Sequence, residues 1–235
     1  MKLTPRLKKV AEMVPSCSIV ADIGTDHAYV PIYLIKSEKA ENVIACDVHK
    51  EPAERAKIHI KQEGVSARIE VRVGFGLSIL ESNEAEGIII AGMGGLMIRD
   101  ILNTDKEIAD TVQWFILQPQ NHIADLKLWL RDNGYKISEE GLVAEDNRIY
   151  EVFYVEHGYM DSFSDLEAEI GVTEERYKDA LFGRHLEVLL RKRQKIIDSI
   201  DPSMGSKRNM DKYNNAISER KVIKEVLWKY MQKTS

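Results

Sequence analysis

The chain has 235 residues and a formal net charge of −5, with 44% hydrophobic and 30% charged residues, a composition typical of a globular protein with one mid-sized domain and a smaller one. No apolar run reaches the roughly 18 residues of a membrane span, and the N-terminal segment lacks the apolar core of a signal peptide. Cys17 and Cys46 show neither disulfide nor metal-site spacing, so we expect a cytoplasmic protein without a membrane association or a bound metal.

Segments with the hydrophobic patterns of helices and strands alternate as far as residue 133. The predicted helices are 5–14, 28–36, 52–63, 96–102 and 123–133. The predicted strands are 18–23, 42–47, 69–73, 87–91 and 114–117. Two further strands, 135–143 and 148–155, follow without a helix between them, so this pair is expected to be antiparallel.

This alternation predicts an α/β fold in which helices cover both faces of a parallel sheet. The near-continuous apolar strands agree, because strands of such a sheet are buried on both faces. Five parallel strands followed by an antiparallel pair is the layout of a class I methyltransferase. A nicotinamide-dinucleotide domain more often continues as strand–helix–strand. We therefore predict a Rossmann-like methyltransferase domain over residues 1–160.

The C-terminal segment, 161–235, is predicted to be a helical domain that begins with a linker or a loose first turn. Two amphipathic helices, 174–200 and 207–232, are separated by a turn at 201–205 that contains Pro and Gly. Apolar residues recur in both helices at alternating spacings of four and three, which predicts an antiparallel coiled-coil hairpin. The predicted seams contain Phe182, Leu186, Leu189, Ile196 and Ile200, and then Tyr213, Ala216, Ile223, Leu227 and Tyr230.

Charge is distributed unevenly between the two parts of the chain. Residues 1–173 contain 18 Lys and Arg against 29 Asp and Glu, whereas residues 174–235 contain 15 against 9. A basic helical surface can follow a phosphate backbone, so a nucleic-acid partner is one interpretation. A solvated helical face with surplus lysine is the other, and charge alone does not separate them.

The loop after the first strand favours one class of cofactor. Gly24 permits a tight turn and a close approach of a ligand, but Asp26 and Ala28 occupy the other two glycine positions of a GxGxxG motif. Asp26 would repel a pyrophosphate where backbone N–H groups must bind it. A ligand with an ammonium and a sulfonium would tolerate that carboxylate, which favours S-adenosylmethionine over NAD.

Polar or glycine-rich residues also follow the other predicted strands, at the edge where α/β sheets bind ligands. Asp47 can bind two ribose hydroxyls, and Phe75, between two glycines, either stacks on an adenine or belongs to the core. Three glycines within 92–95 allow a close approach to the backbone, and a tight turn is the alternative. Gln118 is either a hydrogen-bonding partner of a base or part of a surface loop. The acidic pair Glu139/Glu140 is expected to face solvent, and so is His185.

Four motifs together carry a specific resemblance. They are ADIGTDHAYVP at 21–31, IAGMGG at 90–95, LQP at 117–119 and EDNRIYE at 145–151. With Arg6 and Leu7 of the first helix, they resemble the bacterial tRNA (adenine-22-N1)-methyltransferase family over nearly the whole chain. Phe75 departs from the family, which often has Asn at that position.

The resemblance implies methyl transfer from S-adenosylmethionine to N1 of adenine 22 in tRNA. Asp26 is the candidate catalytic residue, although a role in cofactor binding alone explains it equally well. The predicted cofactor-binding residues are Arg6, Asp22, Gly24, Asp26, His27, Asp47, Val48, Gly74, Phe75, Gly76, Ala91, Gly92, Met93 and Gly94. The predicted substrate-binding residues are Gly95, Gln118, Pro119, Arg191, Lys192 and Lys195.

Two other classes of function stay open. A nicotinamide-dependent oxidoreductase would bind NAD and ignore S-adenosylmethionine. A non-catalytic RNA-binding protein with a relic cofactor cleft would bind tRNA without methyl transfer. The sequence leaves the oligomeric state open, a monomer included.

Overall fold

The computed structural model describes residues 2–202 and 206–234, apart from the side chains of residues 233 and 234. The chain divides into two compact units, Met1–Ser162 and Phe163–Ser235, and each is described by itself. None of the described helices is both long enough and apolar enough to span a membrane.

The first unit contains seven strands and six helices among its described residues. The strands are β1 (Cys17–Ile23), β2 (Ala40–Asp47), β3 (Ile69–Val73), β4 (Gly87–Met93), β5 (Trp114–Pro119), β6 (Tyr135–Glu145) and β7 (Arg148–His157). The helices are α1 (Pro5–Met13), α2 (Tyr29–Lys36), α3 (Lys50–Gln62), α4 (Gly95–Thr104), α5 (Lys106–Ala109) and α6 (Ile123–Asp132). Only α5 among them was not predicted from the sequence.

The strands form one sheet in the order β3-β2-β1-β4-β5-β7-β6. Strands β1 to β5 pair in parallel, whereas β7 is antiparallel to both β5 and β6. The order reverses between β1 and β4, which neighbour each other although two strands separate them in the chain. The predicted methyltransferase fold is therefore confirmed, and the carboxyl ends of β1 and β4 mark the expected ligand site.

Burial on both faces explains why the parallel strands are so apolar. Val20 in β1, Ile89 in β4 and Ile116 in β5 are completely buried. Each belongs to the main apolar core, which also includes Ile32 and Leu34 of α2. Removing such side chains from water is the main favourable term in folding this unit.

Helix α1 is fixed at both ends. The hydroxyl of Thr4 caps its first turn by accepting a hydrogen bond from the Leu7 N–H. Pro5 suits the first helical position, because an N–H there would have no partner within the helix. At its other end the ammonium of Lys39 donates hydrogen bonds to the carbonyl oxygens of Ala11 and Val14. These contacts satisfy carbonyls that a helix end leaves without partners, so α1 holds a defined position beside the sheet.

The second unit contains α7 (Asp165–Ile170), α8 (Glu174–Lys178), α9 (Phe182–Asp198) and α10 (Lys207–Thr234). The prediction of a linker over the start of this unit is wrong for α7, which has a capping box of Ser164 and Glu167. The prediction of one continuous helix over 174–200 is wrong, because the structure has two helices there, α8 and α9. Between them the carboxylate of Asp179 accepts a hydrogen bond from the Leu181 N–H, at 2.8 Å.

Helices α9 and α10 form the predicted antiparallel pair. Gly183 lies beside Tyr230, and Arg193 binds Glu219. Five seam residues are buried, namely Phe182, Leu186, Leu189, Ala216 and Ile223. Residues 203–205 of the predicted turn lie outside the described residues.

Two expectations of solvent exposure are wrong. Glu140 is buried and binds the buried ammonium of Lys127, which also binds Glu151 at 2.9 Å. His185 is buried, and its Nε2 lies 2.8 Å from the carbonyl oxygen of Glu169. In both cases a partner from another element satisfies the polar group, which is the condition for burying it.

Candidate functional site

A cavity of about 380 Å³ lies at the carboxyl ends of β1 and β4. It is lined by Arg6, Leu7, Asp22, Gly24, Thr25, Asp26, His27, Tyr29, Val30, Ala91 and Gly92. Seven of these residues belong to the predicted cofactor site. A larger groove near Asn42 and Arg68 lies at the amino-terminal side of β2 and β3 and contains none of them. The carboxyl-end cavity is the candidate site, because ligands of α/β sheets bind at that edge.

A strained loop between β1 and α2 forms one wall of the cavity. Asp26 and Ala28 have φ values of +46° and +57°, a left-handed conformation that few residues other than glycine adopt. Gly24 has a φ of +79°, and a Cβ there would lie 2.4 Å from the Met93 side chain. The N–H groups of Gly24 and Thr25 both donate to the carbonyl oxygen of Cys46. The loop is thus held against the end of β2.

Two carboxylates lie below this loop. Asp22, at the end of β1, is only 5% exposed. Burial raises the pKa of Asp22 to about 6, and the nearby charge of Asp47 contributes to the rise. Asp47 ends β2 and accepts hydrogen bonds from the N–H groups of His49 and Asp26, at 2.9 and 3.3 Å. Asp47 therefore lies beside the loop, although it is not part of the cavity lining.

The carboxylate of Asp26 is 60% exposed and lies between two nitrogen-bearing side chains. Nη2 of Arg55 and Nε2 of His27 are each 3.5 Å from its oxygens. The His27 ring stacks with those of Tyr29 and His59, each with centroids 5.3 Å away. Three of these residues were not predicted from the sequence. Tyr29 lies in the first motif, whereas Arg55 and His59 are on α3 and carry no local signal.

Arg6 of α1 also lines the cavity. Its Nη1 donates to Oε1 of Gln118 at 2.7 Å, and its backbone N–H donates to Glu145 at 2.8 Å. Gln118 is completely buried, and its amide nitrogen donates to the carbonyl oxygen of Pro119. The surface-loop alternative for Gln118 is therefore wrong. Direct contact of Gln118 and Pro119 with a substrate stays a prediction.

The glycine-rich segment after Ala91 serves two purposes. Gly92 has a φ of +82° and lies at a register shift of β4, beside the cavity. A Cβ at Gly95 would lie 2.4 Å from the backbone oxygen of His122, and one at Gly94 would lie 2.9 Å from the Asn121 side chain. Close packing against the backbone of the 121–122 loop therefore requires Gly95, whether or not a ligand approaches it, whereas at Gly94 the exposed Asn121 side chain has room to move.

The third predicted strand end lies outside the cavity lining. Gly74 donates its N–H to the carbonyl oxygen of Asp47, which brings segment 74–76 to the end of β2. Phe75 and Val48 are 57% and 49% exposed. The core alternative for Phe75 is therefore wrong, and its ring is accessible for stacking. In Gly76, a Cβ would lie 2.5 Å from the Asp105 carboxylate.

The basic residues predicted to bind substrate lie on α9 of the second unit. Arg191, Lys192 and Lys195 are all exposed, on the side of the helix away from the buried seam. Arg191 lies 3.8 Å from Glu187, a surface ion pair that contributes little to stability. Within 2–202 and 206–234, no group of three or more His, Cys, Asp or Glu is placed to hold a metal ion.

Comparison with known proteins extends over both units. Residues 3–153 match the family described as a methyltransferase domain. A tRNA (adenine(22)-N(1))-methyltransferase of Bacillus subtilis is 34% identical over 232 residues, which are 97% of this chain and 98% of that protein.

Two solved structures that contain ligands are also similar. One, from Streptococcus pneumoniae in complex with S-adenosyl-L-methionine, is 29% identical with a TM-score of 0.83 and covers 96% of this chain and 100% of its own. The other, M. capricolum TrmK with S-adenosyl-homocysteine, is 28% identical with a TM-score of 0.83, covering 97% and 100%.

Proposed function

The chain belongs to the tRNA (adenine(22)-N(1))-methyltransferase family, and we propose that it transfers a methyl group from S-adenosylmethionine to N1 of adenine 22 in tRNA. The observation that carries this proposal is the cavity at the ends of β1 and β4, whose lining includes both the acids Asp22 and Asp26 and the cation Arg6. A lining with charges of both signs suits a zwitterionic ligand.

The residues of the site fit S-adenosylmethionine group by group. Arg6 would bind the carboxylate of its methionine part, and Asp22 the ammonium. Asp47 would accept hydrogen bonds from the ribose hydroxyls, as an acid at this strand end does in related folds. The exposed ring of Phe75 would stack on the adenine. A pyrophosphate would meet Asp26 in place of a glycine, so the site disfavours NAD.

The chemistry needs little beyond positioning. When bound, S-adenosylmethionine would supply a methyl group on a sulfonium, and its transfer to the N1 lone pair of adenine would break the sulfur–methyl bond and release S-adenosylhomocysteine. No nucleophile on the protein is required, and orientation alone can supply effective molarities of about 10⁵ M or more. N1 lies on the Watson–Crick edge, so the enzyme must bind the base unpaired or flipped. Asp26 would stabilise the positive charge on the methylated base or accept a proton from its amine.

Incubation with labelled S-adenosylmethionine and unmodified tRNA tests the function. We expect label in 1-methyladenosine, and none with a tRNA that carries another base at position 22. S-adenosylhomocysteine should raise the thermal midpoint, because a ligand that binds only the folded state stabilises it. A midpoint shift with NAD and none with S-adenosylhomocysteine would overturn the proposal. We also propose a cytoplasmic location for this activity, because its proposed substrate is tRNA.

Replacing Asp47 by Ala should weaken S-adenosylhomocysteine binding by about 1–3 kcal/mol, because the charged hydrogen bonds to the ribose are removed. Calorimetry measures the effect. Because Asp47 also binds the N–H of Asp26, Asp47→Asn is the companion variant that keeps an acceptor at this position. Unchanged affinity in both folded variants would remove Asp47 from the site.

We further propose that α9 contributes to tRNA binding. Changing Arg191, Lys192 and Lys195 together to Ala should weaken tRNA binding and flatten its salt dependence, by a slope of about 0.7–0.9 for each phosphate that the variant no longer neutralises. S-adenosylhomocysteine affinity should not change. Lys106→Ala, which removes an exposed lysine outside the cavity, is the control. If the triple variant binds tRNA with the same affinity and salt dependence as the wild type, these three residues form only a solvated helical face.

A further inference from the structure

The EDNRIYE motif at 145–151 contacts the wall of the cavity through Arg6. Glu145 accepts the backbone N–H of Arg6 at 2.8 Å, and its other oxygen lies 3.7 Å from Nε of that guanidinium. The guanidinium lies over the ring of Tyr150, 5.7 Å from its centroid. The motif therefore binds α1 across 139 positions of the chain, at the residue that faces the cavity.

These contacts fix the guanidinium but leave its Nη2 nitrogen available. Nη1 is bound to Gln118, and Gly92 lies below it, where a Cβ would be 3.6 Å from Nη1. Nη2 has no hydrogen-bond partner among the residues that the structure describes. The ion pair with Glu145 is 3.7 Å long and involves Nε, so Nη2 can still donate hydrogen bonds to a ligand.

We infer that Glu145 is a positioning residue that holds Arg6 in place for the carboxylate of S-adenosylmethionine. This inference rests on the proposed function. A free arginine side chain populates many rotamers, and a ligand must order it on binding. Glu145, Tyr150 and Gln118 order it beforehand, so affinity for the methionine end of the cofactor depends in part on a carboxylate that does not touch the cofactor. The adenosine end does not depend on it.

The test measures by calorimetry how tightly the wild-type protein and the Glu145→Gln variant bind two ligands. S-adenosylhomocysteine contains the methionine-derived carboxylate, whereas 5′-methylthioadenosine lacks it. We expect the variant to bind S-adenosylhomocysteine about five- to twentyfold more weakly and 5′-methylthioadenosine within about twofold of wild type. In turnover, KM for S-adenosylmethionine should rise while kcat changes little. Gln keeps an acceptor for the Arg6 N–H, so α1 should stay docked.

Two further variants separate positioning from mere stability. Glu12→Gln on the same helix, whose partner is the exposed Lys8, should leave both affinities unchanged. In a cycle with Arg6→Ala, Glu145→Gln should add no further loss, because both act through one guanidinium. Equal losses for both ligands, or none for either, would overturn the inference.

The inference and the proposed function fail differently. Suppose that Glu145→Gln loses affinity for S-adenosylhomocysteine and not for 5′-methylthioadenosine, but that the wild-type protein does not methylate tRNA. That result would contradict only the proposed function. A wild-type protein that binds neither ligand would overturn both.

Discussion

Asp26→Asn is expected to lower kcat for methyl transfer by about 10²–10⁴-fold while leaving affinity for S-adenosylhomocysteine nearly unchanged. The Asp26 carboxylate is the exposed acid of the cavity, whereas Asp22 is buried below it. Methylation of N1 places a positive charge on the base, and a carboxylate within reach lowers the energy of that transition state. Asn has the same size but carries no charge.

The substitution is conservative for the fold. Asp26 has a φ of +46°, and Asn adopts this left-handed conformation more readily than most residues. Single-turnover kinetics and calorimetry on the same preparation separate chemistry from binding. Glu51→Gln is the matched control, because Glu51 also pairs with Arg55 but is 86% exposed on α3. If cofactor affinity falls and the single-turnover rate at saturation does not, Asp26 binds the cofactor and is not catalytic.

Asp22→Asn is expected to make the ligand-free protein more stable and nearly unable to bind S-adenosylmethionine. Burial raises the pKa of the Asp22 carboxyl from its ordinary value of 3.8 to about 6. The folded state thus retains a proton that the unfolded chain releases between these pH values. The stability that this proton provides is complete below about pH 4 and is lost as pH rises through 6.

At pH 7 to 8 wild-type Asp22 is therefore a destabilising buried charge. Asn cannot ionise, so we expect the variant to gain up to about 3 kcal/mol in free energy of unfolding, following 1.36 kcal/mol for each pKa unit. Urea unfolding of both proteins between pH 5 and 8 measures the difference. It should grow with pH through 6 and then become constant. A variant that is less stable at pH 8 would contradict the predicted cost of this buried charge.

Cofactor binding should show the opposite dependence on pH. The ammonium of S-adenosylmethionine needs the ionised carboxylate, so wild-type affinity should rise through about pH 6 and level off above it. Affinity of Asp22→Asn should be weak and independent of pH over the same range. Wild-type affinity that does not change between pH 5 and 8 would show that Asp22 does not bind the ammonium.

The sequence by itself determined the order of strands and helices and the position of the cavity loop. These features depend on local patterns: apolar runs of strand length, helical periodicity, and Gly24 and Asp26 directly after a buried strand. A local signal was also available for α7, since Ser164 and Glu167 have the spacing of a capping box, but the serines and glycine of that region pointed to a linker. The break at Asp179 depends on a side chain competing with the helical backbone, which hydrophobic periodicity does not register.

Only the tertiary structure decided which charged residues are buried and which distant ones meet. In the sequence Glu140 has the features of a surface residue, and only the fold shows that Lys127 of α6 binds it in the interior. Arg6 and Glu145 likewise meet only because the fold brings them together. Arg55 reaches Asp26 in the same way, from a helix that carries no motif. A buried charge needs a partner to offset the loss of its hydration, and partners far apart in the sequence are brought together by packing.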